Sequence, residues 1–455
     1  MDIKKLYQLY QQHPCITTDS RDCPEGSIFL ALKGETFDGN KFALQALEKG
    51  CAYAIVDDKN LLTTTKTTST TPKGDSLSPK EKELSKLSSR IIVVDDCLQT
   101  FKDLAREHRR QFDIPVIGIT GTNGKTTTKE LIAAVLSQKY NVLYTQGNFN
   151  NHIGVPKTLL RLTREHDIAV VEMGANHPGE IKTLTSIAEP DCGIITNVGK
   201  AHLEGFGSFE GVIRTKGELY DFLRTRNDSL AFVDGGNEHL LNIAKGLELV
   251  KYGIGDADDL LVSGEVVACD PFLRLRWRHE KGEWHEVSTH LIGSYNIYNM
   301  LAAACIGMHF GVSQQEIDHA LSNYVPSNNR SQLTETEHNH LVVDTYNANP
   351  TSMDAALRNF RDMQVSPKMA ILGDMRELGD SSLEEHRRVV DFLKSSGFDN
   401  VWLVGDQFGQ ADTSFRHFKD VEEVKLAIAD QKPEGYYILI KGSNSLKLFE
   451  LPPLL

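Results

Sequence analysis

"ITGTNGKTTTKE" occupies residues 119–130, where the apolar run "IPVIGIT" (114–120) gives way to "TTTKELIAAVLSQKY" (126–140). In the second stretch Leu131, Ile132, Val135 and Leu136 recur on one face of a helix. A strand, a glycine-bearing turn and a helix start form the setting in which a chain binds phosphate. Free backbone N–H groups at the helix N-terminus face the anion, and the helix dipole favours its charge. Gly121 and Gly124 permit backbone conformations and close approaches that a Cβ would obstruct. Lys125 can offer a point charge to β- and γ-phosphates, and the Thr126 hydroxyl can ligate Mg²⁺. Thr122, Asn123 and Thr127 complete the stretch as nucleotide-contact candidates. The spacing departs from the common G-x-x-x-x-G-K-[ST] loop, because the position five before Gly124 is Ile119. By itself the stretch fits either a nucleotide loop or a helix start with threonine caps.

Outward from the loop, "IAVVEMG" (168–174) and "CGIITNVG" (192–199) are further buried-strand candidates. After "NYVPSNNRSQL" (323–333) apolar strands resume in "HLVVDTYNA", "KMAILGDM", "NVWLVGD" and "YYILIKGS". Strands alternating with helical stretches predict α/β architecture with mostly parallel sheets. We expect three domains. Residues 1 to about 112 form a small α/β domain, 113–325 a central phosphate-loop domain with a parallel sheet, and 326–455 a Rossmann-like α/β domain. The Thr/Ser/Lys/Pro-rich segment 61–89 reads as a disordered surface insert between "CAYAIVDD" and "RIIVVDD", two strands of one small sheet.

The chain has 455 residues, 40% of them hydrophobic and 24% charged, the balance of a soluble globular protein. Its 49 Lys and Arg against 62 Asp and Glu give a net charge of −13, which argues against a nucleic-acid partner. Cys15, Cys23, Cys51, Cys97, Cys192, Cys269 and Cys305 include no C-x-x-C pair, so neither a zinc site nor a disulfide framework is expected. No run approaches the roughly 20 apolar residues of a membrane helix, and the N-terminus lacks the apolar core of a signal peptide. The reading is a cytoplasmic monomer without membrane insertion.

Several polar positions sit where α/β sheets bind ligands, at strand C-terminal ends. "VVEMGANHPGEI" (170–181) places Glu172 there, and a carboxylate at such a point can hold Mg²⁺. "TNVGKAHLEGFGSFEGVIRTKGELYDFL" (196–223) contributes His202 and Lys216, which alone read as an ordinary histidine and a solvated helix lysine. "GSYNIYNMLAAACIGMHFG" (293–311) is a helix whose polar start carries Tyr295, Asn296 and Asn299, and capping suits Asn296 better than Asn299. In the third domain the strand ends supply Asp344, Tyr346, Asn347 and Asn349, then Asp374 and Arg376, then Lys441 and Ser443. Three polar strand ends on one sheet edge make a stronger case for a site than any one of them, since a lone Asp or Asn there is an ordinary turn former.

"TGTNGKTTT" resembles the short ATP loop of the Mur ligases and the related folylpolyglutamate synthases. The combination N-F-N-N-x-I-G-V-P, E-M-G-A-N-H-x-G-E-I, A-H-L-E-G-F-G and D-x-Y-N-A-N-P extends the resemblance to the Mur ligase family over nearly the whole chain outside 61–89. It implies an ATP- and Mg²⁺-dependent amide-forming ligase of cell-wall precursor synthesis. By that resemblance Lys125, Glu172, His202 and Lys216 are catalytic; Thr126, Glu172, His202 and a carbamylated Lys216 surround Mg²⁺. Asn296, Asn299, Asp344 and the hinge residue Arg330 contact the nucleotide, although Tyr295 stands where the family usually has histidine. Ser20, Arg21, Lys33 and Gly34 match the uridine-diphosphate region, and Asn148, Asn150 and Asn151 the muramoyl-peptide path. Tyr346, Asn347, Asn349, Arg376, Lys441 and Ser443 match the region that receives the amine substrate. D-T-Y-N-A-N-P, in place of the D-Y-A-H-T-P of the ligase that adds the third residue, implies UDP-N-acetylmuramoyl-tripeptide and D-alanyl-D-alanine as the substrates.

Overall fold

In the computed structural model, residues 2–61, 86–326, 332–411 and 414–455 are described. The proposed insert lies largely, and Arg330 wholly, outside these residues. The chain folds as two compact units. One comprises Met1–Asp113 with His152–Leu162 and Ile187–Glu189; the other comprises Ile114–Asn151, Thr163–Ser186 and Pro190–Leu455.

The first unit is built on a four-stranded parallel sheet in the order Ile16–Thr17, Ile28–Leu30, Tyr53–Val56 and Ile91–Val93. The two strands that flank the insert are therefore neighbours in one sheet. Helices Ile3–Gln12, Ala43–Glu48 and Cys97–Arg109 bury Leu6, Leu47, Phe101 and Leu104 in its core.

The second unit carries two sheets. Nine strands run in the order His285–Ile292, Phe272–His279, Val262–Cys269, Glu248–Ile254, Leu230–Asp234, Cys192–Ile195, Val116–Thr120, Ile168–Glu172 and Val142–Tyr144. The loop strand Val116–Thr120 thus lies between Ile168–Glu172 and Cys192–Ile195, parallel to both. Its helix, Lys125–Leu136, buries Leu131, Ile132, Val135 and Leu136 against the sheet. The expected parallel sheet is only part of the answer, because Val262–Ile292 forms an antiparallel meander. "FLRLRWRH" there alternates exposed and buried residues over its first six positions, the period-2 signature of a half-buried strand.

The C-terminal lobe of this unit has a six-stranded sheet. The order is Gln332–Glu335, His340–Asp344, Tyr437–Lys441, Lys368–Gly373, Asn400–Val404 and Arg416–Phe418, parallel except for the first strand. The ends that carry Asp344, Lys441 and Asp374 come from three adjacent strands, as the sequence suggested.

Candidate active site

The strand order sets the site's geometry. Glu172 ends the strand on one side of the phosphate loop, and Thr196 and Asn197 follow the strand on the other. Asn123 N–H donates to Asn197 Oδ1 (2.9 Å), while Thr196 Oγ1 and Asn197 Nδ2 donate to the Asn123 carbonyl (2.6 and 3.0 Å). Gly121 has φ +144°, and a Cβ there would sit 2.1 Å from Thr196 Oγ1. Gly124 has φ +76°, and its Cβ would sit 2.7 Å from Asn299 Oδ1. Glycine is therefore required twice, by conformation and by crowding. Thr126 and Thr128 are buried and bond to other elements, and the helix start at Gly124 has no side-chain cap. That disposes of the reading in which the threonines merely cap a helix.

Lys125 folds back so that Nζ donates to the carbonyls of Gly121 (2.8 Å) and Thr122 (3.0 Å). Thr126 Oγ1 donates to Glu172 Oε1 (3.2 Å), which also accepts from Asn150 Nδ2 (2.8 Å). Glu172 is 1% exposed, and its Oε2 makes no hydrogen bond. Behind it lies Lys129, which the sequence reading passed over. This lysine is 0% exposed, its Nζ is 3.7 Å from Glu172 Oε2, and it donates to the Gly147 carbonyl (3.2 Å).

A hydroxyl, a buried carboxylate oxygen left without a hydrogen bond and a phosphate loop suit Mg²⁺. That ion keeps several waters and takes one or two carboxylates together with substrate phosphates. Among the described residues no trio of His, Cys, Asp and Glu converges as a metal cage, consistent with this sparse donor set.

Lys216 is 2% exposed in the helix Phe209–Leu223, its Nζ donating to Ala175 O (3.2 Å). Burial and the Lys125 ammonium hold it well below the ordinary lysine range. The Phe206 ring supports both Lys216, 5.2 Å from its centroid, and His202, edge-on at 6.1 Å. These two candidates, one before and one within the helix, are thereby brought together.

Asn299 accepts from Thr128 Oγ1 (3.0 Å) and donates to Asn296 Oδ1 (2.8 Å). Asn296 in turn donates to Ile292 O (2.8 Å) and makes no side-chain cap, which corrects the capping reading. Both asparagines are buried behind the phosphate loop.

The C-terminal lobe meets this loop directly. Asn349, read from sequence as a substrate contact, caps helix Pro350–Asp362 and pairs its amide with Asn123 of the phosphate loop (2.8 Å). Lys200 N–H donates to Thr351 Oγ1 (3.1 Å), and its Nζ meets Glu385 Oε1 (2.7 Å). Lys441 Nζ bonds Asp344 Oδ2 (2.5 Å), so two candidates from different strand ends form one pair, its lysine buried and its carboxylate partly exposed, with the Asn347 carbonyl 3.4 Å away. Ser443 Oγ accepts from the Arg376 N–H (3.1 Å), while the side chains of Arg376, Tyr346 and Asn347 are exposed. Asp374 is buried and accepts from the N–H groups of Gln407 and Phe408 (3.0 Å each), the work of a helix cap.

Two further candidate groups remain. Asn148 and Asn151 are exposed next to Asn150. In the first unit Arg21 forks onto Asp19 (2.8 and 2.9 Å), Lys33 pairs with Asp57 (2.8 Å), Gly34 N–H bonds Phe37 O (2.9 Å), and the Ser20 carbonyl accepts from Lys49 (2.7 Å).

Known proteins fit the same pattern. Residues 14–109 match the family model described as the Mur ligase family catalytic domain, 119–307 the Mur ligase middle domain, and 329–444 the Mur ligase glutamate ligase domain. The chain belongs to the Mur ligase family. It is 33% identical to the UDP-N-acetylmuramoyl-tripeptide–D-alanyl-D-alanine ligase of Bacillus subtilis, covering 96% of this chain and 92% of that one. The Escherichia coli enzyme of the same name is 35% identical, with the same coverage. A MurF crystal structure from Acinetobacter baumannii superposes with a TM-score of 0.83 at 30% identity, over 99% of this chain and 97% of that one. MurF from Thermotoga maritima, solved in complex with ADP, gives 0.81 at 25% identity over 97% of each chain. Those neighbours are Mur ligases across their full lengths, in keeping with the α/β fold of this chain.

Proposed function

We propose that the chain joins D-alanyl-D-alanine to a UDP-N-acetylmuramoyl-tripeptide, forming an amide bond at the expense of ATP in cytoplasmic peptidoglycan precursor synthesis. The observation that carries this reading is the buried Thr126–Glu172 contact beside a phosphate loop that the C-terminal lobe holds through Asn349. It is supported by full-length similarity to ligases of that name. The described helices include none long and apolar enough to cross a membrane.

In this reading the tripeptide's terminal carboxylate attacks the γ-phosphorus, ADP leaves, and an acyl phosphate forms. The amine of the dipeptide then attacks the acyl carbon, loses its proton and expels phosphate. The loop's N–H groups cradle the phosphates. Lys125 exchanges its carbonyl partners for phosphate oxygens and stabilises charge on the transferring group. Thr126 and Glu172 would hold Mg²⁺, with His202 and a carbamylated Lys216 beside it; the ion supplies charge neutralisation. Burial favours the neutral form of Lys216, the form that attacks CO₂, and the product is an anion suited to a cation site. Asp344 and Lys441, with the Asn347 carbonyl, orient the incoming substrates, and the apposed lobe excludes water from the acyl phosphate. Ser20, Arg21, Lys33 and Gly34 bind the uridine diphosphate. The test is phosphate release from ATP with the UDP-tripeptide, with and without D-alanyl-D-alanine. Release and amide product that require both substrates support the reading, and release indifferent to the dipeptide refutes it. Native mass spectrometry reads the Lys216 modification as an added CO₂.

A further inference from the structure

His202 and Glu377 are two non-glycine residues in the left-handed region, at φ +49° and +62°. Such conformations persist only where the surroundings impose them, and they gather at functional sites. These two meet. His202 follows a strand of the nine-stranded sheet, Glu377 a strand of the C-terminal sheet, and the Glu377 carboxylate lies against His202 Nδ1. The backbones are joined as well, Glu204 N–H donating to Glu377 O at 3.3 Å. His202 Nδ1 is buried, and its contact with the carboxylate lacks the alignment of a regular hydrogen bond. His202 Nε2, on the other side of the ring, makes no hydrogen bond among the described residues, and Phe206 fixes the ring edge-on.

A carboxylate at one imidazole nitrogen selects the tautomer with the proton there. It leaves the lone pair on the other nitrogen, as for histidines that face metals. We propose that Glu377 is the positioning residue for His202. It places the proton on Nδ1 and leaves the Nε2 lone pair available to a nucleotide-bound cation, so that a group following the central sheet would depend on apposition of the C-terminal lobe to bind it. The inference rests on the ligase reading in taking His202 as a cation-facing group.

A simple latch between lobes, such as Lys200 with Glu385, would show the same contact but not the same consequences. The test compares the parent protein with Glu377→Leu, which removes the acceptor, and Glu377→Gln, which retains an oxygen. Selectively ¹⁵N-labelled histidine, assigned with His202→Gln, reports the tautomer. Electron paramagnetic resonance of Mn²⁺ added with a non-hydrolysable ATP analogue reports cation affinity. We expect Nδ1–H in the parent and Nε2–H in Glu377→Leu. Mn²⁺ binding should weaken by about 10- to 100-fold in Glu377→Leu, with Glu377→Gln in between and melting temperatures unchanged. An unchanged tautomer, or Mn²⁺ affinity in Glu377→Leu within about twofold of the parent, would overturn the inference and leave Glu377 a latch. Ligation by the parent protein is measured separately. If it proceeds while Glu377→Leu changes nothing, this inference alone falls; if it is absent, the ligase reading falls, and the tautomer still judges Glu377.

Discussion

Replacing Lys129 with methionine keeps the length of a fully buried side chain while removing its charge. The ammonium lies 3.7 Å from Glu172 Oε2, and both side chains are at most 1% exposed. At an effective dielectric of about 20, unit charges at that separation attract by about 4.5 kcal/mol. Methionine recovers some of this by sparing the desolvation of an ammonium, and removal of one partner of a buried pair typically costs about 3–5 kcal/mol. The Gly147 carbonyl also loses its donor. We therefore expect Lys129→Met to destabilise the second unit by about 3–4 kcal/mol, read as a lowered urea midpoint at unchanged slope. Neutralising the partner as well removes the stranded charge. Lys129→Met combined with Glu172→Gln should thus restore most of the loss, a coupling of about 2 kcal/mol or more. A loss under about 1 kcal/mol, or strictly additive effects, would show that Lys129 is not the counter-charge of Glu172.

Lys125→Ala should lower ligation by at least about 100-fold while circular dichroism and melting stay those of the parent, and near-normal turnover would contradict the role given to it. Gly124→Ala forces a side chain into φ +76° and to within 2.7 Å of Asn299 Oδ1. We expect a stability cost of about 1–2 kcal/mol and a raised KM for ATP; an unchanged KM would refute the fit of the loop. In the first unit, burial holds the His108 ring below the ordinary histidine range, with contacts to Tyr7 Oη and Leu162 O. Below about pH 6.5 the unfolded imidazole takes up a proton that the folded one resists, so stability falls as the pH falls toward the lowered pKa. His108→Gln should flatten that dependence between about pH 7 and 5 in melting curves, and an identical slope would exclude His108 as its source.

Much of this architecture can be read from local pattern. The strand–loop–helix at 114–136 and the adjacent strand ends bearing Asp344, Asp374 and Lys441 are encoded in runs of a few residues, where apolar periodicity and turn chemistry act. The meander at 262–292 carries a period-2 signal of the same kind, in "FLRLRWRH", although the βα alternation on either side predicts a parallel sheet. Pairings set by tertiary contact left no such trace. Lys129 lies one helical turn beyond Lys125 and reads as a solvated lysine until the fold buries it against Glu172. Asn349 is an ordinary helix cap in sequence and a partner of the phosphate loop in space. Asn296 has a capping residue's identity, yet its side chain is spent on Ile292 and Asn299. Glu377 sits in a glycine-bearing turn, and nothing local says that it meets a histidine 175 positions earlier in the chain.

The most direct test of the account is a phosphate-release measurement with purified protein, Mg-ATP and UDP-N-acetylmuramoyl-tripeptide, in the presence and absence of D-alanyl-D-alanine. The account predicts sustained release, matched one for one by UDP-pentapeptide product in mass spectrometry, only when all three substrates are present. ATP binding without release that depends on the dipeptide would contradict it and leave a nucleotide-gated binding protein in its place.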